Sequence, residues 1–172
     1  ANANSSIFQL TQSGTYYATI EGRQTGAADY NFRLLDLATA SQPLLLDTDT
    51  SGVLPTGREI AVYQFTGTVG QRLVYDALDW DGDNVNVWLN EPGGDNLIYG
   101  NSDQDTAPRT LSRPGTYYLT IDGNTTAAAD YAFRLHDVAH APELVTGSAI
   151  DGTLASPRAM QLYRLAPGPA WQ

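Results

Sequence analysis

The sequence predicts an all-β chain made of tandem antiparallel β-sandwich domains, jelly-roll-like and about 100 residues each. Three observations carry that prediction. One segment returns about a hundred positions later, apolar residues alternate with period two, and turn residues interrupt every such run.

The repeat is read first, because it sets the frame for everything else. Gly14-Thr-Tyr-Tyr-Ala-Thr-Ile-Glu-Gly22 returns as Gly115-Thr-Tyr-Tyr-Leu-Thr-Ile-Asp-Gly123. Ala28-Asp-Tyr-Asn-Phe-Arg-Leu-Leu-Asp36 likewise returns as Ala129-Asp-Tyr-Ala-Phe-Arg-Leu-His-Asp137. Between residues 14–38 and 115–139, 17 of 25 positions are identical. A second correspondence links Ser51-Gly-Val-Leu54 with Asp151-Gly-Thr-Leu154, then Arg58, Tyr63 and Phe65 with Arg158, Tyr163 and Leu165. The expected organisation is the C-terminal part of a preceding repeat over 1–42, a complete repeat over 43–141, and the N-terminal part of a following repeat over 142–172. Short joints with proline, Ala38-Thr-Ala-Ser-Gln-Pro43 and Ala139-His-Ala-Pro142, separate them. The leading Ala-Asn-Ala-Asn-Ser-Ser has neither an initiator Met nor a signal peptide's apolar stretch, as expected of an excised or processed piece.

Within the complete unit the strands follow in order. Ala61, Tyr63 and Phe65 oppose Ile60, Val62, Gln64 and Thr66. Further strands are expected over 72–78, 84–90, 96–99 and 109–111. Tyr117, Leu119 and Ile121 then share one face of a strand, and Tyr131, Phe133 and Leu135 share one face of the next. Pro55-Thr-Gly57, Val69-Gly70, Asp81-Gly82, Pro92-Gly-Gly94, Pro114-Gly115 and Asp122-Gly-Asn124 supply the turns between runs. No ten-residue window carries a 3.6-residue stripe, so no sizeable helix is expected. The repeated Tyr and Phe positions read first as core; a carbohydrate-stacking platform on Tyr17/Tyr118 or Trp80/Trp88 is the alternative.

Charge chemistry narrows the function. Nineteen acidic residues against nine basic ones give a net charge of −10, which repels phosphate backbones and argues against a nucleic-acid partner. Every basic residue is Arg, and 15 of the 19 acids are Asp, a residue of turns and caps rather than helix interiors. The absence of cysteine removes disulfides, thiolate metal sites and thiol nucleophiles. No apolar run is long enough for a membrane-spanning helix.

Leu111-Ser-Arg-Pro-Gly-Thr-Tyr-Tyr-Leu-Thr-Ile followed by Asp130-Tyr-Ala-Phe-Arg-Leu resembles the closing strands of the bacterial pre-peptidase C-terminal domain family. Gly52-Val-Leu, Val62-Tyr-Gln-Phe, Gly70-Gln-Arg-Leu and Asn84-Val-Asn-Val-Trp-Leu-Asn-Glu-Pro-Gly-Gly are similar to its opening and middle strands. The resemblance implies a jelly-roll-like sandwich that accompanies secreted peptidases or recurs in large secreted and surface proteins. It carries over no catalytic residue, although some relatives bind calcium, collagen or polysaccharide.

The sharpest local chemistry is Asp79-Trp-Asp-Gly-Asp-Asn84, where Asp79, Asp81 and Asp83 alternate as the first ligands of a calcium loop do. An EF-hand does not fit, because Asn84 stands where that loop needs Gly and Glu91 comes one residue late. Ca2+ is the one cofactor the sequence offers, with Asp76 or Asp95 as further donors; a solvated acidic turn is the alternative. His136 and His140 beside Asp137 suggest a hydrolytic set, but His136 replaces Leu35 of the earlier copy and no Gly-x-Ser-x-Gly elbow exists. The expectation is a non-enzymatic structural module of a large extracellular or cell-surface bacterial protein, pairing with neighbouring copies of itself in tandem or head to tail. A calcium-assisted polysaccharide- or collagen-binding module attached to a secreted enzyme is the alternative.

Overall fold

The computed structural model describes residues 7–22, 25–27, 29–56, 59–79, 85–154 and 158–165. Regular structure begins with a one-turn helix, α1 (Leu37–Ala40), and a two-residue strand, β1 (Gln42–Pro43). The longer strands follow: β2 (Asp49–Leu54), β3 (Ile60–Gly67), β4 (Arg72–Ala77), β5 (Val85–Asn90) and β6 (Asn96–Asn101). Next come β7 (Arg109–Thr110), β8 (Gly115–Gly123), β9 (Ala129–Asp137) and a 3-10 turn at Val138–His140. Two short strands, β10 (Glu143–Leu144) and β11 (Arg164–Leu165), lie beyond it.

Strands β1 to β9 form a sandwich. One sheet has the order β1-β3-β8-β5-β6 and the other β2-β9-β4-β7. The chain passes from sheet to sheet at almost every connection, so partners in a sheet are distant in sequence. β3 meets β8 antiparallel over eight pairs, Ile60↔Asp122 to Gly67↔Gly115. β2 meets β9 over six, Asp49↔Arg134 to Leu54↔Ala129. Front strands of the unit are thus zipped to its back strands.

The period-two faces are the core. Along β9 burial alternates without a break, with Tyr131, Phe133 and Leu135 inside. Tyr117, Leu119 and Ile121 of β8 are fully buried, facing Tyr63 and Phe65 of β3. Phe133 stacks on Tyr75 at 5.3 Å and meets Tyr63 edge-on at 5.7 Å, while Phe65 stacks on Tyr117 at 5.4 Å. The hydroxyls of Tyr63 and Tyr131 hydrogen-bond each other at 2.7 Å, so two phenols share the core without stranding a polar group. Opposite Tyr131 stands Gly52, where a Cβ would collide with the ring.

The flanking segments behave differently. Closing strands are expected over residues 1–42 and opening strands over 142–172, yet the described residues of 7–36 contain no strand, and those of 143–165 contain only β10 and β11. A strand needs a partner to bond its backbone, and among the described flanking residues only β10 and β11 find one, in each other.

Candidate functional site

Four features carry chemistry. The first is the acidic loop after β4. The backbone N–H of Asp79 donates to the Ala132 carbonyl at 3.2 Å, which places this residue at the rim of the sandwich. Asp81 and Asp83, together with Trp80, lie outside the described residues. The neighbouring acids are committed elsewhere: Asp76 to His136, Asp95 to Arg113 at 3.1 Å, and Asp105 to the Ala77 N–H at 2.8 Å. Glu91 is buried and takes the Ser112 hydroxyl at 2.8 Å, holding the turn before β8. Among the described residues, no three His, Asp or Glu side chains converge as a metal shell. The acids do shape the local field, because Asp103, Asp105 and Asp79 reinforce the burial that drives the Tyr75 phenol far above its usual pKa.

The second feature is a carboxylate–imidazole chain. His136 projects from β9 with Nε2 at 3.1 Å from Asp76 Oδ2 and Nδ1 at 3.6 Å from Asp47 Oδ1. Asp47 also accepts from the Asp137 N–H at 2.9 Å and lies 2.7 Å from His140 Nδ1. It sits at φ 60°, the left-handed region that Asp tolerates better than most residues. Asp76 has a side chain only 1% exposed, and burial raises its carboxyl pKa against the opposing pull of His136. Neither histidine ring meets a serine or threonine hydroxyl among the described residues. The geometry clamps the approach to β2 onto β4 and β9. The sequence offered Asp76 only as a further calcium donor and did not single out Asp47; they pair with His136 across 60 and 89 positions, and no local motif marks such contacts.

The third feature is on the outer face of the larger sheet. Trp88 and Tyr99 are cross-strand partners with ring centroids 4.0 Å apart, and Tyr99 is 64% exposed. Asn86 faces Asn101 across the same strand pair, and Asn90 faces Tyr118 across the next. Tyr17 does not join this face as a partner to Tyr118; it is 90% exposed on the N-terminal flank.

The fourth feature is the pair of flanks. At the positions that build the core of the central unit, both flanks expose their apolar side chains. Tyr16, Ile20, Phe32 and Leu34 are 52%, 50%, 62% and 76% exposed, whereas Tyr117, Ile121, Phe133 and Leu135 are all 0% exposed. Beyond the sandwich, Leu154 and Tyr163 are 57% and 39% exposed against 3% and 6% for Leu54 and Tyr63. Local structure nevertheless recurs. The Tyr16 hydroxyl donates to the Gln12 carbonyl at 2.6 Å, as the Tyr117 hydroxyl does to the Arg113 carbonyl at 2.7 Å. Asp36 caps α1 through the Ala38 N–H just as Asp137 caps the 3-10 turn through the Ala139 N–H. β10 pairs with β11 in parallel, Glu143↔Arg164, with the same 21-residue spacing as Gln42↔Tyr63 between β1 and β3.

No family model and no curated protein matches the chain. Among solved structures it is similar to the pre-peptidase C-terminal domain of a Bacillus anthracis collagenase, at 19% identity over 55% of this chain and 93% of that one, with a TM-score of 0.45. It is also similar to PliG of Salmonella Typhimurium, a periplasmic inhibitor of g-type lysozyme, at 20% identity over 56% and 96% of the two chains, with a TM-score of 0.43. The PliG of Aeromonas hydrophila gives 15% identity over 56% and 92%, with a TM-score of 0.43. These are likenesses of fold, and they bring neither ligand nor activity to this chain.

Proposed function

We propose that the chain is a non-enzymatic structural module, a stretch of sandwich units spaced about a hundred residues apart in an extracellular or surface-exposed bacterial protein. The observation that carries this reading is the recurrence of a tyrosine bond, an Asp-capped turn and a short parallel strand pair at the spacing of the sequence repeat. The pairing of His136 with Asp76 and Asp47 supports it, since it ties the approach to β2 onto β4 and β9. The net charge of −10 disfavours a nucleic-acid partner for such a module.

A second reading is favoured by the Trp88–Tyr99 pair. Two adjoining rings, tilted at 39° and flanked by amide side chains, are suited to the apolar face and hydroxyls of a sugar, which would make the module a polysaccharide binder. One experiment separates the two. The 172-residue chain is titrated on a glycan and collagen array, with and without Ca2+, alongside a hydrolase panel. The structural reading expects no turnover and no saturable binding. Micromolar glycan binding that disappears in Trp88→Ala would replace it with the second reading, and turnover lost in His136→Ala would overturn both.

A further inference from the structure

We propose that Asn124, at the tip of the β8–β9 hairpin, is the acceptor for an N-linked oligosaccharide. The motif is Asn124-Thr125-Thr126, an asparagine with a hydroxyl residue two positions on and no proline between them. A second such motif, Asn4-Ser5-Ser6, lies outside the described residues. The modification goes beyond the structural-module reading, adding a covalent site to a unit that otherwise offers only contacts.

Three observations separate Asn124 from an ordinary turn asparagine. Asparagine is favoured at hairpin tips because it tolerates left-handed backbone and bonds its own loop. Asn124 does neither. Asp47 is the one non-glycine residue at positive φ among the described residues, and the Asn124 amide makes no hydrogen bond among them. The repeat does not call for asparagine either, since Arg23 follows Gly22 where Asn124 follows Gly123. Both ends of the motif face solvent. Asn124 and Thr126 are exposed, as are Ala127 and Ala128. Thr125 closes the tip instead, donating its hydroxyl to the Ala127 carbonyl at 3.0 Å. The acceptor amide and the Thr126 hydroxyl are left open to an incoming enzyme.

Position fits a bulky addition. The tip precedes Ala129, the first residue of β9, while the 3-10 turn at Val138–His140 follows its last, Asp137. Nine residues of extended strand put the two about 27 Å apart, so a glycan on Asn124 stands clear of that turn and of the His140–Asp47 contact. The co-reactant is an oligosaccharide carried on a lipid pyrophosphate. Asn124 Nδ2 bonds to the anomeric carbon of the first sugar. The bond from that carbon to the pyrophosphate oxygen breaks, and the lipid pyrophosphate leaves with the electron pair. One amide proton passes to a base of the transferase, and nothing is oxidised or reduced. The product is a hydrated chain projecting from the end of the sandwich.

The test incubates the purified, folded 172-residue chain with an oligosaccharyltransferase and a lipid pyrophosphate-linked oligosaccharide of known mass. Intact-mass and peptide mass spectrometry follow. Most of the wild type should gain the mass of one glycan, mapped to Asn124. Asn124→Gln and Thr126→Ala should each abolish addition at that site, and Thr126→Ser should keep it. All three should melt within about two degrees of wild type, because both side chains are exposed. Placement is tested by combining Asn124→Gln with Tyr118→Asn, which rebuilds the motif at residues 118–120 of β8, a strand paired to β3 and β5 on its two edges. The folded chain should refuse it there. A wild type that stays unmodified overturns the inference, as does a glycan found only at Asn4 or equal use of the motif within β8. None of these outcomes alters the array and turnover results, so failure of the acceptor site is distinct from failure of the structural reading.

Discussion

Residues 14–38 and 115–139 are nearly the same peptide in two situations. The second copy forms β8 and β9, whose inward side chains are buried, while the first has no strand among its described residues and exposes most of its aromatic side chains. What survives in both is local: a tyrosine hydroxyl bonded four residues back, and an aspartate capping the turn two residues ahead. What differs is everything that needs a distant partner. Arg134 reaches Asp49 across 85 positions, whereas Arg33, without that front strand beside it, pairs with Glu59 at 2.6 Å. The pair teaches that the alternating pattern is permission to form a strand rather than the cause of one. Hydrogen bonds of a sheet close between segments, and the apolar face gains its free energy only when a second layer covers it.

The largest expected contrast comes from truncating the same residue in each copy. Phe133→Ala removes a ring packed against Tyr63 and Tyr75 and should cost about 3–5 kcal/mol in denaturant unfolding. Phe32→Ala in dilute chain should stay within about 0.5 kcal/mol of wild type. Equal losses would mean that the N-terminal copy is packed in solution, and the contrast between the copies would be gone.

The glycines give a middle-sized test. Gly52→Ala pushes into Tyr131 and its bond with Tyr63, with an expected cost of about 1–3 kcal/mol. At Gly152 the nearest obstacle is the Tyr163 hydroxyl at 3.7 Å, so Gly152→Ala in dilute chain should be nearly silent. A silent Gly52→Ala would show that the Tyr131 ring swings aside freely.

The smallest effect is electrostatic and belongs to one copy alone. His140 accompanies Asp47, whose hydrogen bond, with the charges of Asp137 and Asp47, raises the imidazole above its ordinary 6.5. The folded chain then holds this proton more tightly than the unfolded one. The contribution is complete below pH 6.5 and is lost as pH rises through the folded value. Thr39 occupies the corresponding place in the first copy and does not titrate there. Melting temperature followed from pH 5 to 9 should fall less steeply in His140→Asn than in wild type, by about a degree or less, because the pair is solvent-screened. An unchanged slope would leave the Asp47 contact without energetic weight.

Much of the sandwich is legible in the sequence for a physical reason. In an amphipathic strand the side-chain period is two, so Tyr117, Leu119 and Ile121, or Tyr131, Phe133 and Leu135, announce a buried face before any partner is known. The run 72–77 reveals less, because β4 is buried on both faces and Asp76 sits among apolar neighbours without a periodic signature. Asp76 and His136 stood out in other roles, but their pairing with each other and with Asp47 was not legible, since the three come from separate strands or turns. Of the calcium loop, Asp79 is placed at the sheet rim and the alternating pattern of its neighbours remains a property of the sequence.

The amino-acid sequence by itself determined the repeat, the alternation, the caps and the turns. Each of these closes its bonds or displays its pattern within a few residues. Only the tertiary structure decided which copy of the repeated peptide becomes a sheet. β8 and β9 pair with β3 and β2, 48 or more positions upstream, and a strand forms only where such a partner closes its hydrogen bonds and a second layer covers its apolar face.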